Sequence, residues 1–258
     1  MENKPPLIRI VDLKKSYGSK EVLKGINLDI FPGQVIGYIG PNGAGKSTTV
    51  KILTGLIDDF SGTVEINGIN IRDNALSIKA QLGYVPENAE LYDVLTPMEY
   101  LDFVGKLYGM DDQIVQDRST KLLAAFGLEA NATSRMDTFS KGMRQKVLLI
   151  SGIIHNPQII ILDEPLSGLD ANAVILVKEL ISLLAKEGKT IFYCSHMMDV
   201  VEKVSDRILL INQGSIIADG TISELKTNPD ESLEHIFSKL THHTGTALDA
   251  SHIISAIQ

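Results

Sequence analysis

The chain has 258 residues, of which 44% are hydrophobic, so it can bury one large core or two modest lobes. Its formal net charge of −8 argues against a broad electrostatic attraction to nucleic acid or to anionic lipid. The single cysteine, Cys194, excludes an internal disulfide and suits a reducing compartment. Neither a bilayer-spanning apolar run nor a signal peptide is visible in the sequence, so we expect a cytosolic protein.

The first part of the chain predicts antiparallel strands. Residues 7–11 and 25–30 have strand character, with a turn at 16–19 between them. A second pair of strands surrounds Asn67-Gly68, a dipeptide typical of tight hairpins. Tyr17 falls in the predicted turn. A loop tyrosine is usually only surface, but beside a nucleotide site it can lie against an adenine ring.

A glycine-rich segment follows the apolar run 35–39 and opens a helical run, which is where the phosphate-loop pattern G-x-x-x-x-G-K-[ST] must lie. The segment consists of Gly40, Pro41, Asn42, Gly43, Ala44, Gly45, Lys46, Ser47 and Thr48. Its backbone N–H groups and the helix dipole favour a polyphosphate, with Lys46 at the β- and γ-phosphates and Ser47 on Mg²⁺. The alternative is a glycine-rich turn with an exposed lysine.

The pattern becomes helical from about residue 88 to 155. Thr96-Pro97-Met98-Glu99 forms a capping box that starts one helix, and a second helix is predicted at 112–126, ending at Gly127. We interpret this region as a helical insertion. Its apolar stripe is more often core than a groove for a partner.

Strand and helix character alternates again after Pro157. The apolar runs 159–162, 190–194 and 208–211 predict buried parallel strands, and 171–186 predicts an amphipathic helix. The predicted class is therefore α/β: a P-loop NTPase core with a parallel sheet, an N-terminal antiparallel β subdomain and an inserted α-helical subdomain. These parts are expected in residues 1–220, followed by a short C-terminal extension, 221–258, with a short helix and a loosely ordered end.

Acidic and basic side chains follow two of the predicted strands. Asp163 and Glu164 stand where one strand ends, at the edge where open α/β sheets bind ligands. Asp163 can hold Mg²⁺ and Glu164 can address a water that attacks the γ-phosphate. His196 follows the next strand and is a candidate for holding that water or the γ-phosphate. Taken alone, an Asp-Glu-Pro is more often a turn start, and such a histidine is more often a cap or surface residue.

The order of these motifs resembles the nucleotide-binding subunit of an ATP-binding cassette (ABC) transporter over about residues 7–220. The matching positions are Tyr17, the loop 40–48, a signature-like segment 139–145, Asp163-Glu164, Ser167 to Asp170, and His196. The resemblance implies ATP hydrolysis with Mg²⁺ and a head-to-tail dimer with a second copy or a related cassette. In that dimer, Ser140 and Gly142 of one subunit close over ATP held by the other. It also implies a transmembrane permease partner and a position on the cytoplasmic face of the cell membrane.

Two motifs depart from the usual family pattern. Lys141 stands at the first glycine of the signature and Met143 at its glutamine, while Glu87 stands where a glutamine is usual. Lys141 either faces the partner subunit's phosphates or is a solvated lysine at a helix start. A carboxylate is a stronger Mg²⁺ ligand than an amide, so we expect Glu87 to be linked to the metal and to signal nucleotide occupancy to the helical insertion.

Both departures, together with the segment 232–237, resemble the branch that serves exporters of drugs, antibiotics or sodium. The sequence therefore predicts an ATP-hydrolysing subunit that powers transport through a separate permease, with export as the favoured direction. A soluble cassette ATPase of DNA repair or translation is the alternative, opposed by a single phosphate loop, the absence of a heptad run and the negative charge. A nucleotide-binding subunit without turnover is opposed by Glu164 and His196.

Overall fold

The computed structural model describes residues 5–88, 91–228 and 231–241. Its strands are β1 (Ile8–Tyr17), β2 (Lys20–Ile30), β3 (Val35–Ile39), β4 (Ser61–Ile66), β5 (Ile69–Asn70), β6 (Leu82–Val85), β7 (Ile159–Asp163), β8 (Thr190–Ser195), β9 (Arg207–Asn212) and β10 (Ser215–Gly220). Its α-helices are α1 (Lys46–Leu53), α2 (Ala75–Lys79), α3 (Pro97–Leu107), α4 (Asp112–Ala125), α5 (Lys141–Ile153), α6 (Ala171–Lys186), α7 (Met198–Val204), α8 (Ile222–Leu225) and α9 (Leu233–Thr241). Two 3-10 turns, Glu129–Asn131 and Met136–Thr138, precede α5.

The N-terminal strands form an antiparallel sheet in the order β2-β1-β4-β5. Both β1 and β2 are longer than the sequence indicated, because their ladder continues through polar residues as far as the pair Tyr17 and Lys20. The expectation that Tyr17 lies in a loop is therefore wrong: it ends β1. The hairpin between β4 and β5 is confirmed, with Asn67 and Gly68 both at positive φ, as a tight two-residue turn requires.

A second sheet has the order β10-β9-β3-β8-β7-β6. Five strands of this sheet run parallel to one another: β9, β3, β8, β7 and β6. At the edge, β10 pairs antiparallel with β9. Every residue of β3, β7 and β8 is buried, since both faces of this sheet are covered. Ile36 and Tyr38 pack in the core shared with the antiparallel sheet, whereas Val35 and Ile39 pack in the core shared with the helices.

The helical region between β6 and β7 is built as its local signals indicated. The capping box at Thr96 and Glu99 is present, and Asp111 and Ser140 cap α4 and α5 through their side chains. Buried side chains of α3, α4 and α5 share one core with β7 and β8. The region is therefore attached to the parallel sheet by apolar packing.

The chain ends with α8 and α9 in the part that the structure describes. Leu233 and Ile236 of α9 are buried in the same core as α7. The loosely ordered sequence expected near the C-terminus falls mainly on residues 242–258, which lie outside the described residues. Among the residues that are described, no helix is both long and apolar enough to cross a bilayer.

Candidate active site

The loop between β3 and α1 has the backbone conformation that its glycines make possible. Gly43 and Gly45 have φ values of 80° and 113°, a region that favours glycine. A Cβ atom on Gly45 would also lie 2.6 Å from Leu23 Cδ2. The loop leads directly into α1, whose first N–H groups have no acceptor within the helix. This arrangement suits an anion at the start of α1.

A cavity of about 480 Å³ lies in front of this loop. It is lined by Lys20, Val22, Asn42, Gly43, Gly45, Lys46, Ser47, Thr48, Glu87, Asp163, Glu164 and His196. The structure thus places the loop, both carboxylates of Asp163-Glu164, Glu87 and His196 around one space. Lys20 and Val22 on β2 also line the cavity. They were not predicted, because they reach the cavity only through the tertiary contact of β2 with the loop.

The Lys46 side chain is buried within the loop. Its ammonium donates to the carbonyl oxygens of Gly40 at 2.6 Å and Pro41 at 3.2 Å. These neutral acceptors hold the charge beside the cavity, and Lys46 forms no ion pair with an acidic side chain in the described part of the chain. The ammonium is therefore positioned to exchange carbonyl oxygens for the oxygens of an anion.

Asp163 is the last residue of β7 and is buried. Its Oδ1 atom has no hydrogen-bond partner among the described residues. The pKa of Asp163 is raised to about 6, chiefly by burial and then by the nearby charges of Glu87 and Glu164, while Lys46 and Ser47 act in the opposite direction. A buried carboxylate with a free oxygen and two acidic neighbours favours the binding of a cation.

The donor set at this position consists of oxygens. Carboxylates and a hydroxyl are ligands for a hard cation such as Mg²⁺, which usually keeps several waters and binds phosphate oxygens. The residues that can hold it are Ser47, Asp163 and Glu87. Among the described residues, no group of three or more His, Cys, Asp or Glu side chains is placed to hold a metal ion.

Glu164 is fixed by the end of the neighbouring strand. Its carboxylate accepts hydrogen bonds from Ser195 Oγ at 2.9 Å, from the His196 backbone N–H at 2.9 Å and from His196 Nδ1 at 2.8 Å. Its backbone N–H donates to the Cys194 carbonyl at 2.9 Å, its φ is 49°, and its side chain lines the cavity. The sequence placed Glu164 and His196 at one edge of the sheet, but it predicted neither the hydrogen bonds between them nor a role for Ser195.

The His196 ring is 68% exposed although its Nδ1 is engaged. Because Nδ1 bonds to the Glu164 carboxylate, Nε2 is the nitrogen left for another partner. The ring can therefore contact a ligand in the cavity while Glu164 holds its orientation.

Six predicted site residues do not line the cavity of their own chain: Gly40, Pro41 and Ala44 of the loop, and Tyr17, Ser140 and Gly142. Tyr17 is 50% exposed, with the Lys15 ammonium 4.9 Å from its ring centroid. Ser140 accepts a hydrogen bond from the Met143 N–H, which caps α5. Gly142 packs on the carbonyl of Gly168, where a Cβ would come within 2.7 Å of the oxygen.

Comparison with known proteins places this geometry in a family. The family profile described as "ABC transporter" matches residues 23–167. The linearmycin resistance ATP-binding protein LnrL of Bacillus subtilis is 36% identical over 219 residues, 85% of this chain and 70% of that protein. The ABC transporter ATP-binding protein NatA of the same organism is 33% identical over 241 residues, 91% of this chain and 98% of that protein.

Solved structures agree with the sequence relatives. An ATP-binding subunit of an ABC transporter superposes with a TM-score of 0.86 at 32% identity, covering 91% of this chain and 99% of that one. The ATP-binding cassette MJ0796, solved as a dimer in a post-hydrolysis state with ADP and phosphate, superposes with a TM-score of 0.77 at 26% identity, covering 83% and 98%. These relatives support a transport ATPase and not a cassette of DNA repair or translation. The chain belongs to the ABC transporter family as an ATP-binding and ATP-hydrolysing subunit.

Proposed function

We propose that this subunit powers export through a separate membrane permease by hydrolysing ATP in the cavity beside Lys46. The observation that supports it most strongly is the convergence of the phosphate loop, Asp163 and Glu164 on one space. Export is supported by the name of LnrL, a linearmycin resistance protein, and by sequence similarity to the exporter branch.

In this proposal the phosphate loop binds ATP. The N–H groups of Gly43, Gly45 and the start of α1 hold the β- and γ-phosphates. Lys46 leaves the carbonyls of Gly40 and Pro41 and neutralises phosphate charge. Gly40, Pro41, Asn42, Ala44 and Thr48 complete the loop, and Tyr17 lies against the adenine.

Ser47, Asp163 and Glu87 are the residues that would hold Mg²⁺. The ion would supply positive charge to the β- and γ-phosphate oxygens when it is bound. Asp163 contributes the buried oxygen that has no hydrogen-bond partner among the described residues. Glu87 is exposed and lies at the junction with the helical region, so we propose that it reports occupancy to that region.

Glu164 orients the attacking water and accepts its proton. The hydrogen bonds from Ser195 and His196 fix the carboxylate, which lines the same cavity as the phosphate loop. His196 uses Nδ1 on Glu164 and offers Nε2 to the γ-phosphate. The rate therefore depends on positioning and charge, which is how phosphoryl transfer is generally accelerated.

The second proposed site is formed with another subunit. Ser140 and Gly142 lie outside the cavity of their own chain, and the relative MJ0796 has been solved as a dimer. We propose that they close over ATP held by a second copy or a related cassette. Closure that shifts a two-state permease from 1:99 to 99:1 needs about 5.5 kcal/mol of differential binding, which contacts made only in the closed dimer can supply.

The permease contact is proposed at an exposed apolar patch on the helical region. Tyr92 and Phe103 pack edge to face with their ring centroids 5.7 Å apart, and Leu107 follows one turn after Phe103 with 70% of its surface exposed. Exposed aromatic and aliphatic side chains in one place are typical of an interaction surface. Docking there would hold the subunit on the cytoplasmic face of the membrane.

Affinity purification from detergent-solubilised membranes tests the permease proposal. The tagged full-length chain should recover a multi-span membrane protein. Leu107→Ser should lower this recovery without changing the basal ATPase rate, whereas Leu183→Ser, at a leucine of α6 with 58% exposure, should not. Equal recovery with both variants would contradict the location of the patch, and recovery of no membrane protein would contradict the permease.

A further inference from the structure

One face of α5 contacts the loop that follows Glu164 at several successive positions. Residues 141, 142, 145 and 146 share this face, as the helical repeat requires. The contacts are Gln145 Nε2 donating to the Pro165 carbonyl at 3.1 Å, Lys141 Nζ donating to Ser167 Oγ at 3.0 Å, Gly142 against the Gly168 carbonyl, and Lys146 Nζ 3.7 Å from Asp170 Oδ2. The loop 165–170 is therefore held along its whole length by one helix.

Lys141 makes two kinds of contact in this interface. Besides the bond from its ammonium to Ser167, its aliphatic stem lies against Gly168, where a Cβ would come within 3.0 Å of Lys141 Cγ and Cδ. Gly168 has a φ of 77° and provides the space for the stem. The lysine is thus packed along its length, although it stands at the exposed start of α5.

The loop is also tied to the backbone of Glu164, the residue that we propose orients water. The Ser167 N–H donates to the Glu164 carbonyl at 3.2 Å, and Glu164 has the positive φ of a sharp bend. A displacement of Ser167 would therefore also shift the backbone of Glu164. At the other end of the interface, Lys141 follows Ser140, which we propose contacts ATP of the partner subunit.

We propose that Lys141 is a positioning residue that couples the two nucleotide sites. Through Ser167 it joins the tip of α5 to the loop beside Glu164, so that contact of Ser140 with one ATP sets the position of Glu164 at the other. This inference rests on the proposed function of Ser140 and Glu164. It assigns Lys141 a role within its own chain. This role differs from the two expected from the sequence, which were contact with the partner subunit's phosphates and simple solvation.

A double-mutant cycle on full-length protein tests the coupling. Lys141→Met keeps the stem and removes the ammonium, and Ser167→Ala removes its acceptor. Each should lower kcat for ATP hydrolysis by about fivefold with little change in KM, and the double variant should be no slower than either single one. Lys141→Arg should retain the rate, because its guanidinium can also donate to Ser167.

Two controls separate positioning from loss of structure. Lys121→Met removes another exposed lysine, one paired with Asp117 on α4, and should leave kcat unchanged. The thermal midpoints of Lys141→Met and Ser167→Ala should stay at that of the unaltered protein, since both sites lie at the surface.

Three results would overturn the inference. A raised KM in Lys141→Met would show that the ammonium contacts phosphate. Additive effects on kcat in the double variant would show that Lys141 does not act through Ser167. An unchanged kcat in Lys141→Met would show that the lysine is only solvated. Failure of the proposed function is distinguishable, because in that case the unaltered protein itself would not hydrolyse ATP.

Discussion

The carboxylate of Glu164 accepts two hydrogen bonds from His196, one from its backbone N–H at 2.9 Å and one from Nδ1 at 2.8 Å. With the third bond from Ser195 Oγ, both carboxylate oxygens are held from the adjacent strand. This arrangement restricts the rotation of the side chain that we propose orients the attacking water. The active site therefore depends on the pairing of β7 with β8 as much as on the residues themselves.

Replacement of Glu164 by glutamine should separate ATP binding from hydrolysis. An amide keeps the size of the side chain but cannot take a proton from water, so the rate of phosphate release should fall about 100-fold or more. The phosphate loop is unaltered, so the variant should retain ATP and accumulate as a dimer, as size-exclusion chromatography with bound-nucleotide analysis would show. A variant that hydrolyses at the unaltered rate would remove Glu164 from its role.

Replacement of Ser195 by alanine tests the support of that carboxylate. A hydrogen bond to a charged group is lost, and we expect kcat to fall about tenfold while KM for ATP stays nearly constant. Ser182→Ala, at an exposed serine on α6, serves as the control and should not affect kcat. If both variants keep the original kcat, the orientation of Glu164 does not depend on Ser195.

Replacement of Glu87 by glutamine tests its link to the metal. Loss of its charge should raise the Mg²⁺ concentration that gives half-maximal hydrolysis, because one anionic ligand becomes neutral. It should also weaken the stimulation of hydrolysis by the permease. The measurement is a Mg²⁺ titration of the ATPase rate with and without the permease. Unchanged Mg²⁺ dependence together with unchanged stimulation would exclude the role of Glu87.

His155 should make folding stability depend on pH. Its Nε2 bonds to the Leu82 carbonyl at 3.0 Å, its ring stacks on Tyr108 with centroids 3.6 Å apart, and its buried Nδ1 has no hydrogen-bond partner among the described residues. Burial lowers the pKa of His155 below its ordinary value of 6.5. The unfolded chain therefore binds a proton that the folded protein does not, and acidification through this range removes stability.

Urea denaturation of the unaltered protein and of His155→Gln measures this effect. Glutamine can still donate to Leu82 but does not titrate. The stability advantage of the unaltered protein over the variant should shrink between about pH 7.5 and about pH 5.5. An advantage that stays constant or grows on acidification would show that the histidine is not held neutral.

Local features of the fold could be predicted because their signals lie within a few residues. The capping box at Thr96 and the hairpin at Asn67-Gly68 depend on side chains and turns that a short window contains. The extension of β1 to Tyr17 could not, because the polar residues near its end give no local strand signal and are held in the strand by pairing with β2.

The phosphate loop was likewise evident from its spacing, but the bonds around Glu164 were not. Glu164 and Ser195 are 31 residues apart, and they meet because the parallel register sets Asp163 opposite Cys194. The contact of Lys141 with Ser167, 26 residues apart, depends in the same way on how α5 packs on the following loop. Such contacts follow from tertiary packing, which no short pattern encodes.

The most direct test of the account compares ATP binding and phosphate release by the unaltered protein and by Lys46→Ala, with Mg²⁺ at neutral pH. We predict that the unaltered protein retains ATP and releases phosphate. Lys46→Ala should lose most of both, because it lacks the ammonium that we propose neutralises the β- and γ-phosphates. Equal binding and equal phosphate release by the two proteins would contradict the claim that this cavity is the ATPase site.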